Sequence, residues 1–207
     1  MRRFVSAAVG TLSTLGCMLA LPGTATAASS IAFGMVRSTA VVNAGCALNA
    51  QAHISVNSLG AVEVMTVEAN GLPPNQEFDL FVTQIPNAPF GMAWYQGDME
   101  SNSNGRAVGT FIGRFSRETF LVAPAPGGAP APVVHHNPPF ADASTNPATA
   151  PIHTFHVGLW FGTPDAAVAA GCPNTQTPFN GDHTAGIQVL STRNFGNTTG
   201  PLRGLAP

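Results

Sequence analysis

The chain has 207 residues, of which 9% are charged, and its formal net charge at pH 7 is −2. That length suits one domain with a substantial core. The eight basic residues are all arginine and form no basic stripe. This excludes nucleic acid and anionic membranes as main partners, because both are bound through clustered lysine and arginine. Abundant alanine, glycine and proline without lysine are typical of GC-rich bacterial genomes.

Residues 1–27 are interpreted as a signal peptide. Arg2 and Arg3 form a short basic start, residues 4–21 are apolar and uncharged, and Ala25-Thr26-Ala27 is a small-x-small cleavage pattern. General and twin-arginine export both remain open. We therefore expect residues 28–207 to form a single secreted domain, extracellular or associated with the cell wall. No integral membrane segment is expected after cleavage, because no later stretch reaches about 20 apolar residues.

The first half of the expected domain carries strand patterns. Residues 41–58 mix apolar and small side chains and predict one or two short strands. Residues 61–68 alternate with a period of two and are rich in β-branched side chains, which predicts another strand. The sequence Asn-Gly-Leu-Pro-Pro-Asn at 70–75 predicts a turn, because glycine tolerates positive φ and proline interrupts strand pairing.

Cys46 and Cys172 are the two cysteines outside the leader. An even pair in an oxidising compartment is most simply a disulfide, which would tie the start of the domain to its last third. A catalytic thiol with a histidine partner is the alternative, although the sequence carries no local signature of one.

Residues 77–85 alternate again, which predicts a strand with one apolar face and one face in water. The expected apolar face is Phe78, Leu80 and Val82, and the expected wet face is Glu77, Asp79 and Thr83.

A cluster of large side chains follows in residues 86–97. We interpret Phe90, Trp94 and Tyr95 as a possible contact surface for sugar or peptide, with burial in the core as the alternative. Residues 101–105, Ser-Asn-Ser-Asn-Gly, predict a hairpin turn.

The second half begins with a change in composition. Eight of the 18 prolines fall within residues 123–151, which we interpret as one long surface loop inside the domain. Residues 152–161 predict a central strand with two apolar faces. Thr163 and Pro164 predict the start of a short helix. A last strand is expected at 186–190, followed by a frayed end.

Several short strands with little helix predict an all-β fold, specifically an antiparallel two-sheet sandwich with one long Pro-rich loop. The segment 71–80, Gly-Leu-Pro-Pro-Asn-Gln-Glu-Phe-Asp-Leu, resembles the strand–corner–strand of fibronectin type III and other immunoglobulin-like modules, with Phe78 where those usually carry tyrosine. Together with residues 153–160 and the Asn-Gly turn, it resembles small exported bacterial proteins without an assigned activity. The resemblance implies an immunoglobulin-like sandwich and implies no chemistry.

Two groups of residues could form ion sites, and both also fit ordinary structural roles. His153 and His156 would lie on opposite faces of a strand, and His183 in a glycine-bounded loop could join one of them at a metal. Asp98, Glu100, Asn102 and Asn104 alternate as oxygen ligands do in calcium loops, yet they also fit a plain turn. We expect no metal and no cofactor.

No nucleophile elbow, zinc-protease motif or phosphate-binding loop occurs in the sequence. The main hypothesis is a non-enzymatic secreted protein that binds an extracellular protein or polysaccharide. The alternative is a secreted hydrolase of cell-wall polymer, with Asp98, Glu100 or Asp182 near a histidine as acid and base. Glu77 and Asp79 form a further carboxylate pair on one strand face. A purely structural or inhibitory role is the third possibility.

Overall fold

The computed structural model describes residues 30–116, 118–119, 151–177, 179 and 184–205. The predicted signal peptide at 1–27, Asp182, His183 and nearly all of the Pro-rich segment 123–151 lie outside these residues. The elements in chain order are β1 (Ser30–Arg37), α1 (Thr39–Ala44), β2 (Gln51–Ser58), β3 (Glu63–Asn70), β4 (Glu77–Thr83), β5 (Ala93–Glu100), β6 (Ala107–Gly113), β7 (Glu118–Thr119), β8 (Pro151–Ile152), β9 (His156–Phe161), α2 (Pro164–Ala169), β10 (Gln188–Ser191) and a 3-10 helix (Pro201–Leu205).

Eight antiparallel strands form one sheet in the order β5-β4-β9-β10-β1-β2-β3-β6, and β7 pairs with β8 separately. The all-β prediction is confirmed. Strand β1 joins two halves of the sheet, because residues 30–35 pair with β2 whereas Val36 and Arg37 pair with β10. The two edge strands approach each other: a Cβ placed on Gly97 of β5 would lie 3.0 Å from the Phe111 ring of β6.

The sheet is therefore nearly closed and barrel-like. It does not separate clearly into the two sheets expected of an immunoglobulin-like sandwich. The physical reason is the continuous hydrogen bonding through β1, which carries the sheet around the core instead of leaving two free layers. Strand alternation in the sequence specifies which side chains point inward, but not whether the sheet closes.

The inner face of the sheet forms the main core. Strand β3 shows the alternation expected from its sequence, with Met65 and Val67 completely buried and Val64 and Thr66 half-buried. The central position expected for residues 152–161 is confirmed for β9, which pairs with β4 on one side and β10 on the other. Other large members of this core are Ile54, Val56, Phe78, Leu80, Val82, Phe161 and Val189.

The expectation of a wet face on β4 is wrong. Asp79, Phe81 and Thr83 are buried, and Glu77 is the exposed residue of the strand. The face of β4 that points away from the main core is its outer face, and a second apolar cluster covers it. Phe81 is the residue of β4 that belongs to this cluster. The cluster consists of Phe81, Trp160, Phe179 and Ala185, with Phe90 and Ala93 packed against them.

Local signals account for both short helices. The Ser38 hydroxyl accepts a hydrogen bond from the Val41 amide and caps α1. This helix occupies the first part of residues 41–58, where only strands were expected. In α2, the prediction of Thr163 as N-cap and Pro164 at the first helical position is confirmed.

The C-terminal segment is packed against the core rather than frayed. Leu202 is fully buried in the 3-10 helix, and its amide donates to the Phe155 carbonyl. The signal in the sequence was the apolar pair Leu202 and Leu205, both of which are buried.

The predicted disulfide between Cys46 and Cys172 is confirmed, with Cα atoms 5.4 Å apart across a sequence separation of 126 residues. Cys46 follows the end of α1, and Cys172 follows the end of α2. The bond therefore fixes the two helices of the fold to each other at one end of the sheet.

Two glycines with positive φ provide a matched test of the turns. Gly105 (φ 72°) closes the turn between β5 and β6, and an added Cβ would clash with the Leu72 carbonyl oxygen. Gly45 (φ 69°) ends α1, and an added Cβ would meet no atom within 4 Å. We expect Gly45→Ala to lower the free energy of unfolding by about 1 kcal/mol and Gly105→Ala by at least about 2 kcal/mol. Urea unfolding measures both, and equal losses would contradict the backbone contact at Leu72.

Candidate functional site

The three proposed contact residues occupy two faces of the protein. Trp94 and Tyr95 lie on the edge strand β5 and are 49% and 43% exposed. Neighbouring residues of a strand point to opposite faces, so these two side chains diverge. Tyr95 lies opposite Phe81, whereas Trp94 lies opposite Val82, which belongs to the main core.

Tyr95 and Phe90 belong to one aromatic layer on the outer face of β4 and β9. We define this layer as Phe81, Phe90, Tyr95, Trp160 and Phe179. The Phe81 ring lies 5.6 Å from Tyr95, 5.3 Å from Trp160 and 4.1 Å from Phe179, centroid to centroid. The Phe90 ring contacts Trp160 edge-on at 5.1 Å. No sequence pattern predicts that Phe179 joins this layer, because this phenylalanine lies alone in a segment without strand alternation.

A groove of about 710 Å³ opens beside the aromatic layer. Its walls are α1, residues 87–91, residues 175–177 with Phe179, and residues 187–188. The described residues that line it are Thr39, Ala40, Asn43, Asn87, Ala88, Pro89, Phe90, Gly91, Thr175, Gln176, Thr177, Phe179, Ile187 and Gln188. None of these is charged.

Hydrogen bonds hold the 87–91 wall in one conformation. The Met92 amide donates to the Gln84 side-chain oxygen at 2.9 Å, and the Ile85 amide donates to the Phe90 carbonyl at 3.2 Å. The Ser191 hydroxyl donates to the Pro86 carbonyl at 2.9 Å, which ties this segment to β10. The groove is therefore part of the folded scaffold.

An acidic cluster lies on the same outer face, closer to the start of β4. Glu77, Asp79 and Asp98 each place one carboxylate oxygen within 4.8 Å of the other two. Strand register brings them together, because Asp79 lies directly opposite Asp98. The Tyr95 hydroxyl donates to the Asp98 carboxylate at 2.5 Å. The expected Glu77–Asp79 pair thus gains a third member, although Asp79 is buried.

The residues considered in the sequence as calcium ligands lie at the end of β5 and in the turn that follows it. The Asn102 side-chain oxygen accepts from the amides of Asn104 and Arg106, at 2.9 and 3.0 Å. Of the expected ligand set, Asp98 joins the acidic cluster on β5, while Asn102 caps the turn after it. The structure does not bring the four alternating residues together as one ion site.

His156 is a buried structural residue. Its Nε2 donates to the Asn197 carbonyl at 3.1 Å, so its Nδ1, 2.9 Å from the Thr192 hydroxyl, is the acceptor. Burial lowers its pKa from 6.5 to about 4. Its register partner Thr83 lies four residues along β4 from Asp79, a separation of roughly 13 Å. His156 therefore does not act with the acidic cluster.

Neither a known family, nor a curated protein, nor a solved structure matches this chain. Within the described part of the chain, no helix has both the length and the apolar character needed to cross a bilayer.

Proposed function

We propose that the chain is a secreted, non-enzymatic protein that binds an extracellular protein or polysaccharide through the edge strand β5. The observation that carries this proposal is the exposure of Trp94 and Tyr95, about half of each side chain, on a hydrogen-bonded strand. Large aromatic side chains in this state supply much contact area at little entropic cost, and they dominate many interfaces.

The scaffold supports such a role. Strand β4 holds β5 along its whole length, from Glu77 opposite Glu100 to Thr83 opposite Ala93. The Phe81 ring packs beneath Tyr95. A partner that contacts both faces of the β5 edge would therefore meet two aromatic side chains that are already positioned, which reduces the ordering cost of binding.

Export and an immunoglobulin-like origin belong to the same proposal. The leader pattern in residues 1–27 supports export. The Cys46–Cys172 bond is compatible with an oxidising extracellular compartment. The strand–corner–strand sequence at 71–80 supports kinship with immunoglobulin-like modules whose sheet has curled further around its core.

A wall-polymer hydrolase is the second candidate, and the acidic cluster is the observation that favours it. Retaining glycosidases place two carboxyl groups about 5–5.5 Å apart. Glu77, Asp79 and Asp98 approach one another within 4.8 Å, and Tyr95 could stack against a sugar next to Asp98. Glu77 and Asp98 are the two exposed members.

Co-sedimentation with a purified bacterial cell-wall preparation, together with capture of culture-medium proteins on immobilised residues 28–207, tests the main proposal. We expect retention by the wild type and at least tenfold weaker retention by Trp94→Ala and by Tyr95→Ala, as for central interface aromatics. Ile112→Ala is the matched control, because Ile112 is 73% exposed on the other edge strand, β6.

Loss of retention in all three variants equally, or no retention by the wild type, would overturn the binding role of β5. Release of reducing sugar from the wall by the wild type, abolished in Asp98→Asn, would instead establish the hydrolase. Asp98→Asn keeps the size of the side chain and removes its charge, so it separates acid–base chemistry from packing.

A further inference from the structure

The groove beside the aromatic layer has the dimensions of a small-molecule site. Its volume of about 710 Å³ lies within the range of roughly 300–1,000 Å³ that is usual for ligand pockets. Four separate segments of the chain form its walls. Trp94 lies on the other face of β5, and Tyr95, although it belongs to the aromatic layer, does not line the groove. The groove is therefore a separate site from the one proposed for β5.

The chemistry of the lining selects against charged ligands. Two phenyl rings, Phe90 and Phe179, and the side chain of Ile187 provide apolar contact, and the polar lining groups are neutral amides and hydroxyls. No described lining residue could neutralise an anion or a cation. A charged ligand would lose its hydration without a counter-charge, whereas a neutral apolar ligand would lose little.

The two phenylalanines that line the groove pack against Trp160, a buried residue whose indole N–H has no described acceptor. Phe90 and Phe179 both pack against Trp160, at centroid distances of 5.1 and 5.0 Å. The Trp160 side chain is completely buried, and no described residue accepts a hydrogen bond from its indole nitrogen. Buried donors normally have a partner, and none of the described residues provides one for this nitrogen.

We propose that this groove binds a neutral, largely apolar small molecule with a ring system that packs against Phe90 and Phe179. This goes beyond the proposed function, because it assigns a second ligand of a different chemical class to a different surface. The amide side chains of Asn43, Asn87 and Gln188 at the groove would orient the few polar atoms of such a ligand.

The neutral fluorescent probe N-phenyl-1-naphthylamine tests the proposal directly. Trp94→Phe leaves Trp160 as the single tryptophan of the chain, which has two. Because Trp160 contacts both groove phenylalanines, a probe in the groove should quench it by energy transfer. We expect saturable transfer in Trp94→Phe with a dissociation constant on the order of 10 μM for a ligand of this size.

Two groove-filling substitutions locate the probe. Ala40→Phe on α1 and Thr175→Phe on the opposite wall both start from exposed lining residues, so each tests the site even if the other alters folding. We expect each to weaken the probe at least tenfold. Val42→Phe is the matched control, because Val42 is exposed on the same helix and does not line the groove. It should change binding less than twofold.

Specific outcomes would overturn this inference. Absence of saturable transfer, or equal binding by the filled and control variants that melt like the parent, would exclude the groove as the site. Equal affinity for the anionic probe 8-anilinonaphthalene-1-sulfonate would contradict the charge argument. Displacement of the neutral probe by maltose at a concentration lower than that of the probe would assign a sugar ligand instead. None of these results affects retention through Trp94 and Tyr95, so the two proposals fail separately.

Discussion

Removing the Cys46–Cys172 disulfide should lower the free energy of unfolding by on the order of 4–5 kcal/mol. The bond closes a loop across 126 residues, so its loss returns a large amount of conformational freedom to the unfolded chain. In residues 28–207, which lack Cys17, the double variant Cys46→Ala/Cys172→Ala leaves two alanines in buried sites and no free thiol. Guanidinium unfolding of the wild type and the double variant measures the difference.

Reduction of the wild type provides the internal control. Added reductant should bring the wild type down to the stability of the double variant and should leave the double variant unchanged. A loss below about 1 kcal/mol would mean that the reduced chain is already restrained by other contacts, against the chain-entropy argument.

The disulfide also bears on the groove. Cys46 follows α1, which forms one wall, and Cys172 leads into residues 175–177, which form part of another. These segments are far apart in the sequence. The covalent bond therefore links the bases of two walls of the groove.

Acidification should destabilise the protein through His156. Its folded pKa of about 4 lies below the unfolded value of 6.5, because burial disfavours the charged ring. Between these two values the unfolded chain binds a proton that the folded chain does not, so stability is full above pH 6.5 and falls as the pH decreases. The contribution lost by pH 4 is about 3 kcal/mol.

Urea unfolding at several pH values between 7 and 4 measures this loss. His156→Gln removes the titrating group, so its stability at neutral pH should be lower but its dependence on pH should be flatter than that of the wild type. His53→Gln is the control, because His53 is exposed on β2. Identical pH profiles for the wild type and His156→Gln would remove His156 as the cause.

The location of His156 indicates which part of the fold would respond first. Both of its ring nitrogens bond to the segment after β10, through Thr192 and the Asn197 carbonyl. The same segment leads into the 3-10 helix that buries Leu202. Protonation would therefore weaken the attachment of the C-terminal segment before it affected the strands.

In the candidate site, side-chain type alone identifies some of the residues, whereas only strand pairing and loop packing identify the others. Tyr95 and Phe90 were recognised as notable from side-chain type alone, and so was the Glu77–Asp79 pair. Their neighbours were not, because Phe179 and Asp98 reach them only through strand pairing and loop packing. Likewise, the alternation of the sequence predicts Asp79 on a face in water, and only the tertiary structure shows that it is buried.

The sequence by itself determined the features that depend on neighbouring residues. Alternation indicated β3, β4 and β9, Thr163 and Pro164 indicated the start of α2, and the cysteine count indicated the disulfide. The tertiary structure alone decided that residues 30–37 form β1 and pair with both β2 and β10, that the sheet nearly closes, and that a groove forms between α1 and three distant segments. Strand alternation repeats every two residues and carries no information about which strands become neighbours, so closure and the groove depend on long-range packing.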